Sequence, residues 1–160
     1  MRMAAAADAE SICHIYNHYV QNSTITFEEQ PVSRADMAER IREVTAGSLP
    51  WLVEEVNGRI VGYAHAAKWK SRSAYRFAVE TTIYLTHDVR RKGIGTALYQ
   101  GLLGQLKQSG MHVAIGGIAL PNEASVRLHE RVGYRKVAEF FEVGFKFNKW
   151  INVGYWQLKL

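Results

Sequence analysis

The chain has 160 residues, 48% of them hydrophobic, which suffices for one domain with a proper core. Its formal net charge of +5 points to an anionic partner or to a solvated basic surface; nucleic acid and a polyphosphate cofactor both answer that description. No apolar run approaches the roughly 20 residues of a membrane span, and a single cysteine excludes an intrachain disulfide.

The opening stretch, Met1 to Asp8, holds one basic residue and several alanines. Asp8 and Glu10 interrupt it before an apolar signal core develops, so a cytoplasmic protein is expected. Asp8 is placed to cap a first helix running to about Val20. Cys13 lies there among Ile12, Ile15, Tyr16 and Tyr19 and reads as a packed thiol. His14 and His18 stand i, i+4 on the same helix, but no third ligand or catalytic Glu accompanies them, and no metal is expected. Asn22 to Pro31 reads as a loop bearing Thr24, Thr26 and Phe27.

A second helix spans about Ser33 to Thr45, with Ser33 as cap and Met37, Ile41 and Val44 on one side. Trp51 to Val56 and Ile60 to Ala67 read as strands joined by the two-residue turn Asn57-Gly58, with Gly62 a candidate bulge. The basic stretch Lys68 to Tyr75 leads into a strand from Arg76 to Leu85. That strand has Phe77, Val79, Thr81, Ile83 and Leu85 on one face and Ala78, Glu80, Thr82 and Tyr84 on the other. A helix from about Gly93 to Gln108 carries Leu98, Leu102 and Leu106 at i, i+4 spacing, with Leu103 beside them. His112 to Ala119 is a continuously apolar strand, as in a sheet covered on both faces. Asn122 caps a short helix ending near Val132, with Gly133 as its stop. Tyr134 to Phe141, Gly144 to Phe147 and Gly154 to Leu158 are the last strand candidates. This order predicts an α/β domain over residues 1–160, with a mixed sheet and parallel pairing around the two central crossovers.

The turn between the long strand and its helix, Arg90-Arg91-Lys92-Gly93-Ile94-Gly95-Thr96, carries the most chemistry. A glycine-bearing turn opening a helix leaves backbone N–H groups unpaired, and three cationic side chains flank it. Such a site suits a pyrophosphate. Gly93 and Gly95 are expected to allow close backbone approach and special φ/ψ values. A dinucleotide fingerprint would need a third glycine that is not in place.

Arg90-x-x-Gly93-x-Gly95 after a strand resembles the coenzyme A signature of the GNAT superfamily of N-acetyltransferases. Asn122-x-x-Ser125-x-x-Leu128-His129-Glu130-x-x-Gly133-Tyr134 resembles its second signature. Ala78-Val79-Glu80, Gly117 to Asn122 and the tail Glu142 to Trp150 look like the phosphinothricin and methionine-sulfoximine acetyltransferase branch. The resemblance implies a mixed central sheet splayed in the middle, with helices on both faces. It also implies acetyl transfer from acetyl-CoA to the amine of a small amino-acid-like acceptor.

Carried onto this chain, the resemblance makes Glu80 the base that takes the acceptor's proton and His129 a second catalytic candidate, for relay or for protonating the leaving thiolate. A carboxylate in a central strand must be paired or face a cleft, so an ion pair with Arg76 or Lys68 is the structural alternative for Glu80. The backbone of Ile83, Tyr84 and Leu85 is implied to bind the pantetheine arm, and Arg90, Arg91, Lys92, Gly93, Ile94, Gly95 and Thr96 the pyrophosphate. Asn122 and Ser125 are helix-start residues to which the family adds contact with the pantetheine or thiol. Phe27, Arg72, Ser73, Ala74 and Tyr75 are implied to shape the acceptor site, Arg72 as a two-pronged carboxylate clamp. The tail with Lys146, Trp150 and Trp156 is implied to help form a homodimer. An enzyme of the same superfamily acting on protein N-termini or lysines is the alternative. The Lys68 to Arg76 stretch could also hold single-stranded nucleic acid, although no base-reading motif accompanies it.

Overall fold

The computed structural model describes residues 1–88 and 93–160. A short strand β1 (Arg2–Met3) precedes helices α1 (Ala9–Asn22) and α2 (Arg34–Ala46). Strands β2 (Trp51–Val56), β3 (Arg59–Lys68) and β4 (Ala78–Leu85) follow, then α3 (Ile94–Gln108), β5 (Val113–Leu120), α4 (Glu123–Arg131) and the strands β6 (Arg135–Lys146) and β7 (Lys149–Lys159). Among the described residues these strands form one sheet in the order β1-β2-β3-β4-β5-β7-β6.

Local chemistry explains most boundaries. The Ser33 hydroxyl accepts from the Asp36 amide at 3.1 Å, which starts α2. Asn57 and Gly58 both take positive φ, as a tight hairpin turn requires. Asp8 occupies the cap position of α1 without a side-chain cap bond. Its carboxylate instead accepts from the Ala5 amide at 2.8 Å and pairs with Arg2 at 2.7 Å. The bulge between β2 and β3 lies one residue from the expected Gly62: Glu54 pairs with Gly62 and Glu55 with Ile60, so Val61 is the extra residue.

Two apolar cores sandwich the sheet. Leu98, Leu102 and Leu106 of α3 pack with Val79, Ala114 and Trp156 on one face, and Ile12, Tyr16, Met37 and Ile41 of α1 and α2 pack with Trp51 and Tyr63 on the other. Helices on both faces and a mixed sheet agree with the sequence reading.

Three expectations need correction. Parallel pairing occurs once, between β4 and β5. The second crossover returns to β6, but β7 lies between β5 and β6, antiparallel to both. The three short strands expected at the end are one long hairpin, because Phe147 and Asn148 take positive φ and turn the chain tightly without glycine. Phe77 also falls outside β4 and is exposed.

Candidate active site

β4 and β5 run side by side only at Ala78↔Val113, Val79↔Ala114 and Glu80↔Ile115. Beyond that rung β4 continues to Leu85 and β5 to Leu120 without pairing, so the sheet opens. The main chain of alternate residues points to the same side of a strand. Phe77 faces β5, since its carbonyl accepts from the Val113 amide at 3.2 Å. By alternation the Thr81 carbonyl and the main-chain groups of Ile83 and Leu85 aim into the gap. The Leu85 carbonyl accepts from the Tyr19 hydroxyl at 2.6 Å.

A cavity of about 410 Å³ fills the opening. Glu80 to Tyr84 of β4 and Gly117 to Ala119 of β5 form two of its sides. Ile25, Thr26 and Phe27 close it from the α1–α2 loop, and Val143, Val153 and Tyr155 from the final hairpin. Asn122, Ser125 and His129 enter from α4, and Tyr99 from α3.

Glu80 is half-buried, and burial raises its pKa above the ordinary carboxylate range, with the nearby Lys70 charge opposing the rise. The structural alternative is not realised: Arg76 donates to the Ser73 carbonyl at 3.3 Å and lies over the Phe77 ring. Among the described residues no ion pair within 4.0 Å engages Glu80. The carboxylate is therefore free to accept a proton from something in the cavity.

His129 is buried, and burial lowers its pKa, so it is neutral at pH 7. Its Nδ1 lies 2.8 Å from the Ser125 carbonyl, an acceptor, so Nδ1 carries the proton. Nε2 then accepts from the Tyr99 hydroxyl at 2.8 Å. A Cβ on Gly116 would stand 2.5 Å from that nitrogen, so the imidazole fits only because β5 has a glycine there. Beside it the Tyr134 and Thr81 hydroxyls share a 2.7 Å hydrogen bond. Sequence reasoning missed Tyr99 and Gly116, each of which sits in a run that reads as ordinary core, and it saw Tyr134 only as the end of the second signature, with no role assigned.

Asn122 caps α4 through a 3.1 Å bond from the Ser125 amide to its Oδ1, and the Ser125 hydroxyl lies 3.3 Å from His129 Nδ1. Both line the cavity, as do Phe27, Ile83 and Tyr84. Arg72, Ser73, Ala74 and Tyr75 are exposed on a 3-10 turn and do not line it.

At the start of α3, Gly93 takes φ +99°, a left-handed value suited to glycine. The first helical bond runs from the Ala97 amide to the Gly93 carbonyl at 2.9 Å. The amides of Ile94, Gly95 and Thr96 thus have no acceptor within the helix. Gly95 differs from expectation: it lies inside the helix, and its missing side chain admits Leu128 of α4, 3.1 Å from where a Cβ would sit. Arg90, Arg91 and Lys92 lie outside the described residues.

Comparison with known proteins agrees with this geometry. The family model described as Acetyltransferase (GNAT) domain matches residues 1–153. A phosphinothricin N-acetyltransferase of Streptomyces viridochromogenes is 39% identical over 98% of this chain and 85% of its own length. An L-methionine sulfoximine/L-methionine sulfone acetyltransferase of Salmonella typhimurium is 34% identical over 100% of this chain and 94% of its own. The crystal structure of a GNAT superfamily phosphinothricin acetyltransferase from Sinorhizobium meliloti in complex with AcCoA superposes with a TM-score of 0.95 at 38% identity, covering 99% of this chain and 86% of that one. On the opened sheet, the helix start beside it and these likenesses, the chain belongs to the GNAT acetyltransferase family and is an N-acetyltransferase.

Proposed function

We propose that the enzyme transfers acetyl from acetyl-CoA to the amine of a small amino-acid-like acceptor, with methionine sulfoximine, methionine sulfone and phosphinothricin as the first candidates. One observation carries the reading: Glu80, an unpaired carboxylate with a raised pKa, faces the cavity at the last rung before the sheet opens. The names of the relatives support the acceptor class.

The residues present fit acetyl-CoA. The amides of Ile94, Gly95 and Thr96, which have no acceptor within the helix, suit a pyrophosphate at a helix start. The main chain of Ile83, beyond the last β4–β5 rung, suits the amides of a pantetheine arm laid along it as an added strand. When bound, acetyl-CoA supplies an acetyl group activated as a thioester.

The protein's part is proton management and positioning. An α-amino group with a pKa of about 8 is mostly protonated at pH 7 and cannot attack. Glu80 accepts that proton, directly or through a water, and frees the nitrogen lone pair. The His129 imidazole, hydrogen-bonded at both nitrogens, holds Tyr99 at the cavity edge, and its part here is positioning. Asn122 and Ser125 shape the opening where the thiol leaves. The cavity's size supports a small acceptor over a polypeptide one. Val137, Phe141, Val143 and Trp150 are 57–75% exposed on the final hairpin, which supports a homodimer; sedimentation should give twice the chain mass.

The deciding experiment is a thiol-release assay with acetyl-CoA and each of the three acceptors. Turnover on at least one is expected. No turnover on any of them, by protein that binds acetyl-CoA, overturns the acceptor class.

A further inference from the structure

A second cavity, of about 320 Å³, lies on the α1/α2 side of the sheet. It meets the first along β4, where Thr82 and Tyr84 line both. Register explains the arrangement. Trp51 pairs with His65 and His65 with Thr82, so these three form one row across β2, β3 and β4 on a single face. Glu80 shares that face, two residues along β4 from Thr82, or about 7 Å. The row therefore leads sideways from Glu80 beneath α1 and α2.

The floor of this cavity holds two unanswered polar atoms. Trp51 is 2% exposed and stacks on His65 at 4.1 Å. Trp51 Nε1 and His65 Nδ1 are both buried, with no hydrogen-bond partner among the described residues. An indole N–H only donates, so its missing partner is an acceptor. Buried polar groups are nearly always paired, and an orphan donor on a cavity floor calls for a ligand atom or an ordered water. Around this floor the lining is apolar at Met37 and aromatic at Tyr63 and Tyr84. Arg40 reaches the lining too, but its guanidinium is taken by the Glu28 carboxylate at 2.7 Å and 3.3 Å. Glu43 adds a negative charge. The balance suits an uncharged oxygen in an apolar setting.

We propose that this second cavity receives the acceptor's side chain, and that the Trp51 indole N–H and His65, in the tautomer with its proton on Nδ1, donate to an uncharged oxygen at its end, as in a sulfone or sulfoxide. The assignment rests on the acceptor amine lying at Glu80. It makes Trp51 and His65 specificity residues that lie off the reacting atoms. A site built to donate to an oxygen discriminates strongly against the analogue lacking it, because the donor is then left buried and unpaired.

The test compares methionine sulfone with methionine. Wild type should show kcat/KM at least about tenfold higher for the sulfone. Trp51→Phe keeps the stack and removes the donor. It should cut kcat/KM for the sulfone about tenfold or more while changing that for methionine by less than about twofold. His65→Phe should act in the same direction. A measurement on unmutated enzyme guards against a variant that fails to fold. With ¹⁵N-labelled tryptophan, the Trp51 indole N–H resonance should move on titration with the sulfone and stay in place with methionine. An unchanged sulfone-to-methionine ratio in a folded Trp51→Phe, or an indole resonance that ignores the sulfone, means an ordered water fills the cavity and overturns the proposal. Failure of wild type to acetylate either amino acid, despite binding acetyl-CoA, overturns the acceptor reading beneath it and this assignment with it.

Discussion

Glu80 and Ile115 are the last residues at which β4 and β5 still face each other. The carboxylate thus stands at the fork of the sheet, where a main-chain rung ends and a cavity begins. Removing its basicity while keeping its shape isolates its role. Glu80→Gln should lower kcat/KM by about a hundredfold or more with acetyl-CoA affinity retained. Stopped-flow turnover with calorimetric titration checks both halves. Because burial raises the Glu80 pKa, the acidic limb of the wild-type profile that it governs should lie above the usual carboxylate range and vanish in the variant.

The imidazole of His129 depends on a missing methyl. Gly116→Ala would force it away from Tyr99, with an expected loss of about 1–3 kcal/mol in stability and about tenfold in turnover. His129→Asn should also slow turnover but leave the shape of the pH–rate profile unchanged, as expected of a residue whose part is to position Tyr99. A shifted limb in that variant would assign His129 to proton transfer.

Much of this was legible in the chain. Hydrophobic period and turn chemistry gave the central elements, because Ser33, Asn57-Gly58 and Asn122 make local bonds that residue type foretells. The strand placement of Glu80 followed from alternation alone. The rest depends on distant partners. No local signal says that β7 inserts between β5 and β6, since that order is settled by which faces bury together. Gly95 carried a turn signature, yet its cause is Leu128, a residue of another helix. The 3-10 turn at Arg72 to Tyr75, basic in sequence, is exposed and stands apart from the described cavity, which Phe27 and the final hairpin close.

His65 makes the fold acid-sensitive above the carboxylate range. Burial lowers its pKa to about 4, whereas the unfolded chain binds the same proton near 6.5. Between those values the unfolded state holds more protons, so stability falls as pH falls. Urea unfolding should report a decline of up to about 3 kcal/mol from pH 7 to pH 4. His129, shifted the same way, adds to it. His65→Phe should flatten the slope.

Lys146 is 1% exposed, and its ammonium donates to the Val20 carbonyl at 2.7 Å and the Thr26 carbonyl at 2.9 Å. Lys146→Met would strand both acceptors. The expected cost is about 2–4 kcal/mol, seen as a lower thermal midpoint by calorimetry.

That same ammonium rivets β6 to the end of α1 and to the segment holding Phe27. The exposed aromatic hairpin and the loop that closes the cavity thus hang on one buried anchor, and a change at that anchor reaches both.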